Sequence, residues 1–546
     1  MISSGQFRLT LALVRRADVC DAIEGQLRTA PQGRKRGLTV EVLLTGMSLA
    51  FLKYGQQRIR TVHQVLTQDL SRTLRAEFGL TGLTERQVGY LWNRVVDLYE
   101  YSERKRPDLD IVERARRKSA FEEVSDKITG ATGVKLGNTG RWAVDESGID
   151  SAARGKRRPR GEKQGNGEQG STLHRRSCSA DLDADWGYRT RTEDNRTSWV
   201  FGYQAVGFTR VGVGSADEPL LLERVRLVPA NEKGLRETIE VIDALKDDGA
   251  PVREIFADRG FSYGNVDSWA RPLADRDIEQ VMDIHPNDHG ATTHTKHGYL
   301  MVDGWPHCPS MPDELKVIDR PTRFSVPEPT KARGKSSPRP EDIATYTKHK
   351  RELDRFQEKI EERRQYRFEK NGKTPAGAQR YICPARAGKV VCAQCPLSQL
   401  QPDAADKPNV TPPQGENLPR ACTNETMSVK SDVGLKLRQR LYWGSPEWIR
   451  EYSRRTRVEG SFGRMKHFSK FGVRRGWIRQ VGLVKTGLAL VLAVATVNLQ
   501  QLLVWSQRTG NTADPLTAMD TTSYGFVELD EHGQPILEDP PIPLGP

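Results

Sequence analysis

The sequence predicts an α/β protein in which a helical N-terminal domain precedes a mixed sheet covered by helices. Apolar residues recur at helical spacing over roughly the first hundred positions, and from Arg141 short apolar strands alternate with turns and helices. A long polar stretch then interrupts this pattern before a last apolar helix. Since the chain has 546 residues, more than one hydrophobic core usually supports, we expect several domains or one domain with an insertion.

The helical domain is predicted over residues 1–130. Its apolar side chains lie three and four residues apart, and Thr84 with Gln87 has the spacing of a capping box that opens a helix. Basic residues lie between the helices, at Arg34, Lys35, Arg36, Arg58 and Arg60. This combination is typical of a small helical DNA-binding unit, and the alternative is a helical subdomain that only packs on the rest of the chain.

The sheet is predicted over residues 141–284. Strands are expected at 142–145, 199–208, 220–228, 254–257 and 279–284, with helices at 234–245 and 266–273. Three strands, a helix, a strand, a helix and a strand indicate a mixed sheet covered by helices. That order matches the ribonuclease H-like fold.

The rest of the chain divides by composition. Residues 285–440 are polar and are predicted to form an insertion, with a charged helix over 342–369. Residues 441–506 return to helical periodicity and are expected to complete the α/β core. Residues 507–546 are rich in proline and acidic side chains and are predicted to be a flexible tail.

The charge and the cysteines restrict the class of protein. A formal net charge of +13 and a pI near 9.3 favour an extended anionic partner such as nucleic acid. Seven cysteines without an apolar N-terminal signal argue against a secreted disulfide framework, so we expect a cytoplasmic protein. The apolar segment 484–505 contains Lys485, Asn498, Gln500 and Gln501, which favours a buried helix over a membrane span.

Three separated carboxylates are candidate metal ligands. Asp145 and Asp258 each follow a short apolar strand, so both are expected at one edge of the sheet, and Glu459 lies on a predicted helix. Mg²⁺ or Mn²⁺ would suit such a set, because these ions take a few carboxylates together with water and phosphate oxygens. An aspartate after a strand is also ordinary turn chemistry, so the pattern by itself is weak.

A helix-face pattern surrounds Glu459. In the spacing Tyr452-x2-Arg455-x3-Glu459-x6-Lys466, an advance of about 100° per residue places the four side chains within an arc of roughly 60°. One carboxylate would then share a face with two cations and a phenol, which suits a phosphodiester beside a metal ion. The alternative is a solvated face with an Arg455–Glu459 pair.

Basic residues interleaved with aromatic ones follow this helix and suit contacts with a nucleic-acid backbone and its bases: Lys470, Phe471, Arg474, Arg475, Trp477 and Arg479. A second basic loop follows Asp145, at Lys156, Arg157, Arg158, Arg160 and Lys163. Either run could instead be an ordinary solvated surface. Trp443 and Trp477 could wedge into DNA, although a tryptophan is more often part of a core.

A zinc site is predicted within the polar insertion. Four thiolates would complete a closed site that orders a segment with few apolar residues, from Cys383, Cys392, Cys395 and Cys422. The Cys392-x2-Cys395 step is suggestive but the other gaps are irregular, so unliganded thiols are the alternative. Cys308 or His307 could replace one of the four ligands.

The residues around Asp258 and Glu459 also carry a family resemblance. The run Asp258-Arg259-Gly260-Phe261, the Tyr/Arg/Glu/Lys spacing and the strand order together resemble the DDE superfamily of prokaryotic insertion-sequence transposases, in the cut-and-paste branch that has this helix signature. The resemblance covers residues 141–505. It implies that Asp145, Asp258 and Glu459 hold the metal ions, and that phosphates at the transposon end are contacted by Tyr452, Arg455 and Lys466.

The function implied by the resemblance is DNA transposition. The helical domain would bind terminal inverted repeats, and the carboxylates would catalyse strand cleavage and strand transfer into target DNA, with a hairpin intermediate implied by relatives in this branch. Joining two ends implies a homodimer or larger assembly on DNA, at the nucleoid of a prokaryotic cytoplasm. The alternatives are a nuclease without integration activity, a domesticated transposase, and a catalytically silent DNA-binding protein.

Overall fold

The protein consists of two compact units. The first comprises residues 1–252 and 456–544, and the second comprises residues 253–455 with the last two residues. The computed structural model describes residues 2–27, 37–133, 139–155, 179–190, 197–212, 218–294, 296–331, 337–392, 406–413, 418–466, 472–473 and 476–518. The predicted domain boundaries at 284 and 440 do not coincide with the limits of these units.

The N-terminal part of the first unit is helical, as its apolar periodicity predicts. Its helices are α1 (Ser4–Arg16), α2 (Cys20–Leu27), α3 (Val40–Tyr54), α4 (Ile59–Gln64), α5 (Arg72–Glu77), α6 (Glu85–Tyr99) and α7 (Ile111–Gly130). A short π-helical turn, Val65–Asp69, follows α4. The predicted capping box is confirmed at the start of α6, where the Thr84 hydroxyl accepts from the Gln87 amide and the Gln87 side chain accepts from the Thr84 amide.

The strands of the first unit form an antiparallel sheet. They are β1 (Arg141–Asp150), β2 (Asp185–Thr190), β3 (Thr197–Arg210) and β4 (Leu222–Pro229), and α8 (Leu235–Asp247) follows them. The long strand β3 pairs with β1 along one side, and with β2 and then β4 along the other. The prediction that Asp145 ends its strand is wrong, because β3 is long enough to pair with β1 as far as Asp150. Asp145 therefore lies within the strand, opposite Gly207.

The second unit begins with a parallel pair of strands and continues with small sheets. The pair is β5 (Glu254–Ala257) and β6 (Glu279–Met282), joined through α9 (Ala270–Asp275). The next elements are β7 (Ala291–Thr293), β8 (Leu300–Val302), β9 (Trp305–His307), α10 (Pro340–Gln365), β10 (Glu369–Lys373), β11 (Gln379–Ile382), β12 (Val391–Cys392), β13 (Asn409–Val410), α11 (Arg420–Thr423), β14 (Met427–Val429) and α12 (Pro446–Tyr452). Helix α10 buries Leu353, Phe356 and Ile360, as its pattern predicts.

The last two helices return to the first unit, and they are α13 (Thr456–Met465) and α14 (Leu483–Thr509). Within the described part of the chain, α14 is the one helix long and apolar enough to cross a membrane, yet 89% of its most apolar window is buried. It packs against α3, α7 and β4. Asn498 bonds to both backbone groups of Leu222 on β4, at 3.0 and 2.9 Å, so the polar residue inside this apolar helix joins it to the sheet.

Candidate active site

Helix α13 packs on strand β1 and runs in the same direction. Near the middle of the helix, Thr209 on β3 donates to the Ser461 hydroxyl at 3.2 Å, and Thr209 pairs with Ala143 of β1. At the end of the helix, Lys466 Nζ donates to the Gly148 carbonyl at 2.5 Å. The contacts therefore advance along β1 as the helix advances from Ser461 to Lys466.

Gly207 permits this close approach of helix to sheet. It pairs with Asp145, and it has no side chain where the ring of Phe462 lies. A Cβ at position 207 would be 2.6 Å from the Phe462 ring and 2.7 Å from Leu222. A larger residue would therefore push α13 away from the part of β1 that carries Asp145.

The same packing places Glu459 and Asp145 on contacting elements, α13 and β1. Seven helical residues separate Glu459 from Lys466, so the two side chains lie within about 20° of one face and about 10.5 Å apart along the axis. The amide of Lys466 still bonds to the Phe462 carbonyl at 3.1 Å, which keeps Lys466 on the helical path. Lys466 also donates to Ser147 at 2.8 Å, and Asp145 shares a strand face with Ser147.

Asp145 and Glu459 are both partly exposed. Two of the three predicted carboxylates therefore lie on contacting elements of the first unit, β1 and α13.

Asp258 follows β5 in the second unit, as predicted. Its carboxylate accepts from the Gly260 amide at 2.7 Å and its carbonyl accepts from the Phe261 amide at 3.2 Å, so this run forms a tight turn. Among the residues that the structure describes, no group of three or more His, Cys, Asp or Glu side chains is placed to hold a metal ion. The site of three carboxylates stays a prediction.

The helix predicted to carry Tyr452, Arg455, Glu459 and Lys466 on one face is not continuous. Helix α12 ends at Tyr452, a 3₁₀ turn covers Ser453–Arg455, and α13 begins at Thr456. The prediction of one continuous face is wrong, because a 3₁₀ turn advances about 120° per residue and shifts the faces before and after it. Tyr452 and Arg455 belong to the second unit, and Glu459 and Lys466 belong to the first.

Tyr452 and Arg455 are buried. The Tyr452 ring stacks on Trp448 with centroids 4.6 Å apart, and the Arg455 guanidinium lies 5.4 Å from the centroid of the Tyr452 ring. Burial raises the pKa of Tyr452 above its usual range, which the positive charge of Arg455 partly opposes. The hydroxyl is therefore protonated at neutral pH, and a contact with phosphate would require both side chains to become exposed.

Sequence reasoning missed a buried carboxylate beside Tyr452. Asp283 follows β6 as Asp258 follows β5, and it accepts from Arg320 at 2.6 Å and from the Trp443 indole at 3.1 Å. Trp443 is 1% exposed, so in this structure it orients Asp283 within the core and is not available to wedge into DNA. The available signal is an aspartate after an apolar strand. The sequence pattern predicts a strand that continues through Ile284, so it does not mark Asp283 as the residue after the strand.

Several predicted DNA contacts lie in the core or outside the described residues. Trp477 is 2% exposed and packs edge-on against Phe51, with centroids 6.1 Å apart. Arg58 donates twice to the Gly476 carbonyl, at 3.0 and 2.7 Å, and so holds the backbone beside Trp477. Stacking of Trp477 on a base would require its release from this core. The positions outside the described residues are Arg34 to Arg36, Lys156 to Lys163, Lys470, Phe471, Arg474, Arg475 and the tail from 519.

Three of the four predicted zinc ligands lie together in the second unit. Cys383, Cys392 and Cys422 line one small cavity, and Cys308 is the fourth cysteine in its wall. Cys395 lies outside the described residues. The cavity therefore brings together four cysteines of the predicted insertion, of which Cys308 is distant in sequence from the others.

One family model matches part of this chain. Residues 366–503 match the family model of the Transposase DDE domain. The matched range includes Glu459 and the segment around it, and it supports a DDE-superfamily transposase, a class that acts on DNA and generally uses divalent metal ions. No curated protein and no solved structure gave a significant match.

Proposed function

We propose that this protein is a DNA transposase that binds the ends of its element and catalyses metal-dependent strand cleavage and strand transfer. The observation that supports the proposal is the packing of α13, which carries Glu459, along β1, which carries Asp145. The family match over residues 366–503 and the net charge of +13 support it. We further propose that the fold is ribonuclease H-like, that the enzyme follows the cut-and-paste branch, and that it acts as a homodimer or larger assembly on DNA in the cytoplasm of a prokaryote.

The donor set fits a hard divalent ion. Asp145 and Glu459 supply carboxylate oxygens from facing elements, and such oxygens are the ligands that Mg²⁺ and Mn²⁺ take. Asp258 is proposed as the third carboxylate. When bound, the ion supplies the charge that activates a water molecule and stabilises the leaving 3′ oxygen.

The protein's own residues position these groups. Lys466 joins the end of α13 to β1 through Ser147 and Gly148, and thereby fixes Glu459 along the strand. Its proposed contact with phosphate would require it to give up these bonds. Tyr452 and Arg455 are proposed to contact phosphates at the element end after exposure. The 3′ hydroxyl released by hydrolysis would then attack the target strand, so the same carboxylates serve both reactions.

The test uses the purified full-length protein and DNA that carries both ends of its element, taken from the sequence flanking its gene. With Mg²⁺ or Mn²⁺, the wild type should nick at the element ends and give joined products. Asp145→Asn, Asp258→Asn and Glu459→Gln should each lower nicking by about 10²-fold or more while DNA binding persists. Asp267→Asn is the matched control, because the Asp267 side chain is 78% exposed, and it should retain wild-type activity.

The alternatives give different products. Nicking without joined products would indicate a nuclease, and binding without nicking would indicate a DNA-binding protein without catalysis. Wild-type nicking by Asp145→Asn or Glu459→Gln would show that the pair at the α13–β1 interface is not catalytic.

A further inference from the structure

Four cysteines from separate segments line one cavity in the second unit. Cys308 follows β9, Cys383 follows β11, Cys392 ends β12 and Cys422 lies in α11. The cavity measures about 10 Å³, close to the space of one water-sized sphere. Its remaining wall is mostly apolar: Ser310, Ala385, Val390, Val410, Pro412 and Leu418. The thiols therefore meet in a small space with few other polar groups.

The backbone of each cysteine segment is held by hydrogen bonds. The Cys308 amide donates to the Tyr366 carbonyl at 2.8 Å, and the Cys383 carbonyl accepts from the Ala387 amide at 2.9 Å. The Cys422 amide donates to the Pro419 carbonyl at 2.8 Å, and Cys392 pairs with Val410 in a parallel bridge. The four cysteines therefore lie on backbone segments that are fixed around the cavity.

The elements around the cavity are too short to be stable by themselves. Strands β12 and β13 have two residues each, and α11 has four. Helices and hairpins of this size need packing or a bound ion to persist. A closed tetrathiolate zinc site supplies folding free energy to segments of this kind.

We propose that Cys308, Cys383, Cys392 and Cys422 bind one structural zinc ion. This set consists of the described cysteines that line the cavity, and the proposal is independent of the proposed transposase function. Because no three His, Cys, Asp or Glu side chains of the described residues are yet placed to hold an ion, the sulfur atoms would draw inward to zinc–sulfur distances of about 2.3 Å on binding.

The first experiment measures the zinc content of the full-length protein after gel filtration in chelator-free buffer. The wild type should contain one zinc ion per chain, and Cys308→Ser and Cys383→Ser should each lose most of it. The control Cys20→Ser should retain the full equivalent, because Cys20 lies in α2 of the first unit.

Cobalt substitution of the wild type provides a second measurement that does not depend on how well the variants fold. The intensity of the thiolate-to-cobalt charge-transfer band should correspond to four thiolates, and to three in any Cys308→Ser protein that still binds cobalt. A wild type without zinc, full zinc retention by Cys308→Ser, or disulfides among the four cysteines would each overturn the proposal.

Discussion

The ammonium group of Lys466 donates to the Gly148 carbonyl at 2.5 Å and so fastens the end of α13 to β1. The helix and the strand that this bond joins carry Glu459 and Asp145. Lys466 is therefore in a position to act through Glu459, in addition to its predicted contact with a phosphate. The two roles predict different dependences of DNA binding on salt concentration.

Lys466→Met should reduce strand cleavage more than it reduces DNA binding. It removes hydrogen bonds from a charged donor, each worth about 1.5–3 kcal/mol, and frees the end of α13. In binding measured at several salt concentrations, the slope of log K against log[salt] should stay at the wild-type value. A decrease in that slope by about one would instead show a phosphate contact. Lys348→Met, on the exposed side of α10, is the charge-matched control.

Gly207→Ala should destabilise the first unit and lower cleavage. The new Cβ would lie 2.6 Å from the Phe462 ring, so α13 must shift, and overpacking of this kind costs about 1–3 kcal/mol. Thermal unfolding followed by circular dichroism should show a lower Tm. Gly463→Ala is the control on the same helix, because its Cβ would meet nothing within 4 Å and should stabilise α13 by about 0.5–1 kcal/mol. Equal Tm values for the two variants would contradict the tight α13–β3 contact.

Stability should fall in acid partly because of His307. Its Nδ1 donates to the Trp305 carbonyl at 2.9 Å and its Nε2 accepts from the Tyr442 hydroxyl at 2.8 Å, so the buried ring is neutral. Burial lowers the pKa of His307 from 6.5 to about 3. Between these values the unfolded chain binds a proton that the folded chain does not, so this stability is complete above 6.5 and is lost as the pH falls toward 3.

His307→Gln removes this titration and keeps an acceptor for Tyr442. The decrease in Tm between about pH 7 and about pH 5 should therefore be smaller in the variant than in the wild type. An identical decrease in both proteins would show that His307 is not responsible.

Tyr452→Phe separates the packing role of Tyr452 from that of its hydroxyl. The phenyl ring can keep the stack on Trp448, so Tm should change little, whereas cleavage at the element ends should decrease if the hydroxyl contacts a phosphate. Tyr452→Ala should destabilise the second unit by about 3–5 kcal/mol, because it removes a buried aromatic side chain. Wild-type cleavage by Tyr452→Phe would exclude a role for the hydroxyl.

Features that depend on local pattern could be predicted from the sequence. The capping box at Thr84, the strand that ends before Asp258, the amphipathic helix α10 and the buried helix α14 all follow from residues that are close in the chain. The periodicity or turn chemistry of such elements comes from residues that are neighbours in sequence. Their existence was predicted more accurately than their ends.

Features that depend on distant partners could not be predicted in this way. The length of β1 is set by its pairing with β3, which places Asp145 within the strand. The burial of Trp477 depends on Phe51, which is far from it in sequence. The break after Tyr452 also escaped the sequence pattern, because a 3₁₀ turn preserves helical composition while changing the angle between faces.

Helix α14 fills the core of the first unit against α3, although it is synthesised long after that helix. During synthesis on the ribosome, the apolar face of α3 therefore stays uncovered until most of the polypeptide has emerged. During this interval the exposed apolar surface of the nascent chain favours aggregation. A truncated chain that lacks α14 would leave this surface uncovered and should therefore aggregate.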